Sequence, residues 1–202
     1  MSTDVLTRGQ LLAALARGAI ASRLALPVEP LLELPDWLRA PGAVFVTLHL
    51  GGALRGCIGS LAARRPLLDD LLSNATSAAF GDPRFPPLSR PELAQVTVEV
   101  SELGPLEPLT VESEEQARAA LRPRQDGIVL EHGGHRGTFL PQVWAQIPEP
   151  AEFLRQLKRK AGLAPDFWSA EMRLSRYAVA EHTESPRRPA LTPMHRRWSG
   201  VD

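Results

Sequence analysis

The chain has 202 residues, enough for one globular domain or a main domain with a smaller subdomain, and its 44% hydrophobic content excludes global disorder. Basic and acidic residues number 23 each, so the formal net charge is +0, which argues against a surface built mainly for nucleic acid. A single cysteine excludes an intramolecular disulfide framework and suits the reducing cytoplasm.

Thr7 and Gln10 read as a capping box. Beyond them Leu11, Leu12, Leu15, Ile20 and Leu24 recur at helical spacing until Pro27, which predicts an amphipathic helix whose apolar stripe covers a sheet. The start at Met1 lacks a basic n-region, and residues 11–26 are interrupted by Arg17, Gly18 and Arg23. The stretch therefore reads as neither a secretory signal nor a membrane span. Val44, Val46, Leu48 and Leu50 alternate with Phe45, Thr47 and His49 as a strand, and Gly51-Gly52 signals a hairpin. An even loop sets Cys57 opposite Val46 on the aliphatic face. An odd loop sets it opposite Phe45, on the face of Thr47 and His49. The alternation leaves both registers open.

Pro66 opens a second helix with Leu67, Leu68, Leu71, Leu72, Ala75, Ala78 and Ala79 as its buried stripe and Gly81 past its end. The proline-rich residues 82–87 cannot continue it, and Ser89 with Glu92 forms another capping box. Val96, Val98 and Val100 mark a half-exposed strand, and Ser113 starts a short helix. Strands at 128–132 and 135–140 flank the Gly133-Gly134 turn, a third helix spans 151–161, and a last strand covers 172–180. Beyond Glu184 no period survives, so a basic, proline-containing and disordered tail is expected. Helices and hairpins alternate without regular βαβ spacing. This predicts an α+β fold with a mixed, mostly antiparallel sheet covered by helices.

Leu54-Arg55-Gly56-Cys57-Ile58-Gly59 is the most informative stretch, with the only cysteine between two glycines. In a regular strand Arg55 and Cys57 share a face with Cα atoms about 6.5 Å apart. The guanidinium would then favour the thiolate. The competing reading is a core cysteine, with Arg55 pairing a nearby carboxylate. Asp82 and Arg84 sit in a loop stiffened by Pro83, Pro86 and Pro87. Either the loop lines a cleft opposite Cys57 with Arg84 holding an anionic substrate group, or Asp82 and Arg84 staple the loop to the end of the second helix. His132 and His135 flank a glycine turn, but two ligands do not make a tetrahedral site, so they read as exposed imidazoles without a metal. Lys158, Arg159 and Lys160, with Arg187, Arg188, Arg196 and Arg197, give weak support for nucleic acid and read better as a solvated helix end and tail. No phosphate loop, dinucleotide fingerprint or radical-enzyme cysteine triad is present, and no cofactor is expected.

The hexapeptide resembles the signature of the AMMECR-type domain, also called AmmeMemoRadiSam system protein A. The resemblance extends through Phe45-Val46-Thr47-Leu48, residues 82–88, Asp126-Gly127-Ile128, residues 137–143, Lys160-Ala161-Gly162-Leu163 and Trp168. It places the domain at residues 5–184 and leaves 185–202 as the tail. His132 and His135 stand where relatives more often carry Lys or Arg. The resemblance implies a larger and a smaller subdomain with a cleft between them. It also implies a role in a modification pathway with a MEMO-like protein and a radical S-adenosylmethionine protein. In that setting Cys57 is the candidate nucleophile or substrate anchor and Arg55 its thiolate partner. Asp82, Arg84, Gly56 and Gly59 are the candidate substrate-binding residues. The alternative is a non-catalytic adaptor that binds a peptide or partner and in which Cys57 is structural.

Overall fold

A computed structural model describes residues 6–31, 33–184 and 191–193. The chain divides into two compact units, Met1–Glu102 with Glu181–Asp202, and Leu103–Ala180. The first unit begins with α1 (Arg8–Arg23), followed by β1 (Glu29–Leu31), β2 (Pro41–Gly42), β3 (Val44–Leu50), β4 (Ala53–Gly59) and β5 (Arg65–Pro66). Next come α2 (Leu67–Phe80), α3 (Arg90–Leu93) and β6 (Val96–Leu103). The second unit holds β7 (Glu107–Leu109), α4 (Glu114–Ala120), β8 (Gly127–His132), β9 (His135–Phe139), α5 (Pro150–Lys160) and β10 (Arg173–Tyr177). The chain then continues through β11 (Val179–Thr183) to β12 (Leu191–Pro193). This is an α+β architecture in which both four-stranded sheets contain antiparallel pairs, while β1 and β12 pair in parallel.

The capping box at α1 forms as expected: the Thr7 hydroxyl accepts the Gln10 N–H at 3.3 Å, and the Gln10 side chain accepts the Thr7 N–H at 3.0 Å. The helix itself differs from the amphipathic expectation. Residues 11–16 and 18–21 are all buried, so α1 is an interior element rather than a one-faced cover. Arg17 interrupts this burial, and its guanidinium donates to Glu184 and to the carbonyls of Leu93 and Val96.

The first unit's sheet has the order β11-β6-β3-β4. Val44, Val46 and Leu48 of β3 pack with Val98 and Val100 of β6 beneath Leu71, Ala75 and Ala78 of α2. One polar knot pins α2 to this sheet. Buried Asp70 accepts the Val44 N–H at 2.9 Å, the Ser60 hydroxyl at 2.6 Å, Arg65 Nε at 2.8 Å and the Asn74 amide at 2.9 Å. Leu191–Pro193 pairs with β1, and the rest of the expected tail lies outside the described residues.

The second unit's sheet has the order β7-β10-β8-β9 and packs on a core where Trp144 stacks on Phe153 at 3.7 Å. Burial pushes the Tyr177 phenol up to about 12, and its oxygen lies 2.9 Å from the Thr138 hydroxyl. The single strand expected at 172–180 is in fact two. β10 belongs to this sheet and β11 to the first, and between them the Ala178 carbonyl accepts the Gly104 N–H at 2.9 Å. The hairpin histidines are not alike either. His135 is exposed with Nδ1 2.9 Å from the Ala161 carbonyl oxygen, whereas His132 is half-buried against the Phe167 ring. Among the described residues no helix is long and apolar enough to cross a membrane.

Candidate functional site

The signature hexapeptide lies on β4, and its geometry follows from one irregularity. Gly51 and Gly52 adopt φ of 59° and 83° and make a two-residue turn, so Ala53 pairs Leu50 and Leu54 pairs His49. The register then shifts: Gly56 pairs Leu48 and Cys57 pairs Thr47, leaving Arg55 as the extra residue of a β-bulge. The loop is even, yet Cys57 does not meet Val46. The bulge turns it onto the face of Thr47 and His49 instead.

The same bulge separates Arg55 from the thiol. Arg55 and Gly56 are consecutive buried residues, which breaks the alternation that would have placed Arg55 beside Cys57. Arg55 Nε donates to Glu92 at 2.8 Å, its Nη2 reaches the Pro87 carbonyl at 3.5 Å, and its guanidinium lies 5.9 Å from the Phe85 ring centre. Arg55 thus pairs the carboxylate of α3 rather than the sulfur. Its guanidinium, followed by hydrogen bonds from Ser89, pulls the Glu92 carboxyl down to about 2.

Residues 82–88 guard the outer edge of β4. Asp82 is buried and accepts the Cys57 N–H at 2.9 Å, while Arg84 Nη2 donates to the Cys57 carbonyl at 3.3 Å. Together the two side chains occupy the backbone groups that an added strand would use. Arg84 closes the arrangement with Nε and Nη2 at 2.9 and 2.7 Å from the Asp82 oxygens. These bonds hold the Asp82 carboxyl well below the usual carboxylate range, against the opposing effect of burial. The staple thus joins the loop to β4 at Cys57 rather than to the end of α2. Arg84 is itself held charged, chiefly by its hydrogen bonds to Asp82, with a small further contribution from the charge of Cys57.

The Cys57 side chain is half-buried, and the Thr47 hydroxyl donates to its Sγ at 3.4 Å. In register with Thr47 on the other side stands Glu99 of β6. His49 Nε2 lies 3.9 Å from the Glu99 carboxylate. Burial, then the charge of Glu181, raises the Glu99 pKa, and His49 partly offsets this. The glycines of the signature serve close packing: a side-chain carbon on Gly56 would collide with the Ala78 carbonyl of α2, and one on Gly59 with the Phe45 ring.

The structure therefore brings Cys57, Asp82 and Arg84 together and takes Arg55 away. Thr47, Glu92 and Glu99 were not singled out from sequence. Glu92 was legible as a capping-box carboxylate, but its pairing with Arg55 links positions 37 residues apart and left no local signal.

The AMMECR1 family model matches residues 13–182. A protein from Methanothermobacter thermautotrophicus is 48% identical over 149 residues, covering 72% of this chain and 77% of that one. Protein MJ0810 from Methanocaldococcus jannaschii is 38% identical over 159 residues, 77% and 79% of the two chains. The crystal structure of an uncharacterized protein from Pyrococcus horikoshii is similar with a TM-score of 0.77 and 34% identity, covering 86% of this chain and 89% of that one. With the signature hexapeptide, its edge staple and the match over residues 13–182 in hand, the chain belongs to the AMMECR1 family.

Proposed function

We propose that the protein acts through the Cys57 thiol as a nucleophile or substrate anchor in a cytoplasmic modification pathway, with a MEMO-like protein and a radical S-adenosylmethionine protein as partners. The observation that carries this reading is the Arg55 bulge, which turns Cys57 out of the aliphatic layer and sets its sulfur against a hydroxyl donor. Arg84 adds a nearby positive charge, while Arg55 holds the loop through Glu92. The partners rest on the family resemblance alone.

One observation favours the adaptor as a second reading. Arg55, Asp82, Arg84 and Glu92 all have partners within the chain, so the site's charges are internally balanced. Iodoacetamide modification of the folded protein separates the two. The thiol reading expects modification near neutral pH without unfolding, and co-purification of a MEMO-like protein from the native cytoplasm. A thiol that reacts only after denaturation leaves the adaptor.

A further inference from the structure

The last turns of α1 and α2 meet around an open groove of about 540 Å³, lined by Ala19, Ser22 and Arg23 on one side and by Thr76, Ser77 and Phe80 on the other. Pockets that hold small organic ligands run from about 300 to 1,000 Å³, so the groove is large enough for one. Ala19 and Phe80 give it apolar surface. Arg23 is its one charge, and no acidic side chain lines it.

Its polar groups are unspent. Among the described residues Arg23 has no carboxylate or carbonyl partner, and the hydroxyls of Ser22 and Ser77 have none either. Thr76 differs, since its hydroxyl donates to the Leu72 and Ser73 carbonyls at 3.0 and 2.9 Å. A cation in the last turn of a helix suits the macrodipole, but Arg23 is not needed to close this helix end. The Leu24 N–H donates to the Ile20 and Ala21 carbonyls at 3.1 Å, and the Ala25 N–H to that of Ser22 at 2.9 Å. In α2 the Ser77 carbonyl accepts the Gly81 N–H and the Ala79 carbonyl the Leu88 N–H, both at 2.8 Å. These backbone acceptors are taken, while a guanidinium and two hydroxyl donors stay free beside an aromatic ring.

We propose that this groove binds an organic oxyanion, a carboxylate or phosphate carried on an apolar body. Arg23 holds the oxyanion, Ser22 and Ser77 donate to it, and the body lies against Phe80 and Ala19. The planar guanidinium fork suits either group. Binding here is independent of the thiol reading above. Val46 and Leu48 of β3 pack beneath α2, whereas Cys57 stands on the other face of the sheet with Thr47.

The test is a titration of the full isotope-labelled chain with benzoate, phenyl phosphate, inorganic phosphate and benzyl alcohol at constant ionic strength, read by amide NMR shifts. Benzoate or phenyl phosphate should move the amides of Ser22, Arg23, Ser77, Phe80 and Gly81 saturably. Half-saturation should fall at about 1–10 mM, as expected for ligands of this size. Arg23→Gln should weaken that binding about tenfold, the value of a charge-assisted hydrogen bond. Ser22→Ala and Ser77→Ala should each weaken it about fivefold, with circular dichroism checking the fold. A tighter fit of benzoate assigns a carboxylate ligand, and a tighter fit of phenyl phosphate a phosphomonoester.

Groove amides that neither anion moves saturably, or binding that Arg23→Gln leaves unchanged, overturn the oxyanion site. Benzyl alcohol bound as tightly as benzoate overturns it too, because the charge then contributes nothing. Inorganic phosphate bound as tightly as phenyl phosphate overturns the apolar body. Each of these results leaves the iodoacetamide outcome at Cys57 untouched, so failure of the groove and failure of the thiol reading are read separately.

Discussion

Asp82 accepts the backbone N–H of Cys57 at 2.9 Å, tying the proline-rich loop to the open edge of β4 through the residue at the centre of the signature. Because Asp82 is buried, removing its carboxylate strands that N–H without a partner. Asp82→Ala should lower stability by about 1–3 kcal/mol in urea unfolding. Arg84→Ala should cost less, since the Arg84 side chain is half exposed. Equal losses for the two variants would show that the ion pair, not the Cys57 bond, holds the loop.

The two depressed carboxyls fix an acid limb. Asp82 and Glu92 both ionise more readily folded than unfolded, so their stabilisation is complete above the unfolded carboxyl range and declines as pH falls through the folded values. For Glu92 the window runs from 4.5 down to about 2. Stability should therefore hold from neutral pH to about 5 and fall steeply below. Glu92→Gln should flatten part of that fall, as read from thermal midpoints across the range.

Glu99 carries the opposite sign. Its folded pKa is raised, so its ionised form is a burden that grows as pH rises past the ordinary glutamate value. Glu99→Gln should leave the fold intact and raise the neutral-pH thermal midpoint slightly. A marked drop would show that the Glu99–His49 pair stabilises the sheet.

Gly56 admits no side chain, because the first carbon of one would meet the Ala78 carbonyl of α2, a backbone atom that cannot turn away. Gly56→Ala should destabilise by about 1–3 kcal/mol or more through overpacking. Gly59→Ala meets the Phe45 side chain as well as its backbone and should also destabilise. Differential scanning calorimetry reads both.

Asp70 satisfies a strand N–H, a hydroxyl, an amide and a guanidinium from a site that is 1% exposed. Asp70→Ala leaves the buried Val44 N–H without its partner, while Arg65, whose side chain is 41% exposed, turns to solvent, and should cost about 1–3 kcal/mol. Loss of the folded first unit by circular dichroism is the extreme outcome. A change under 1 kcal/mol in urea unfolding would mean that water replaces the carboxylate.

Local rules decided what the sequence settled by itself. Thr7 with Gln10 and Ser89 with Glu92 close their capping boxes, and Ser113 caps α4, because each cap needs only residues three apart. Gly51-Gly52 and Gly133-Gly134 make their turns because a positive φ is a property of the glycine itself. The signature and its ordered companion motifs identified the family on the same local footing.

Tertiary structure decided what depended on distant partners. The all-round burial of α1 follows from its packing against α2 and β12, which the apolar period of one helix cannot report. The division of residues 172–180 between two sheets depends on which strand lies alongside each half. The Arg55 bulge matters most for function. A strand shows a regular alternation until its partner imposes a register, and here the pairing with β3, the Glu92 carboxylate and the Asp82 staple act together. They set Arg55 among buried residues and turn Cys57 to the opposite, polar face, and neither placement can be read from two residues adjacent but one in sequence.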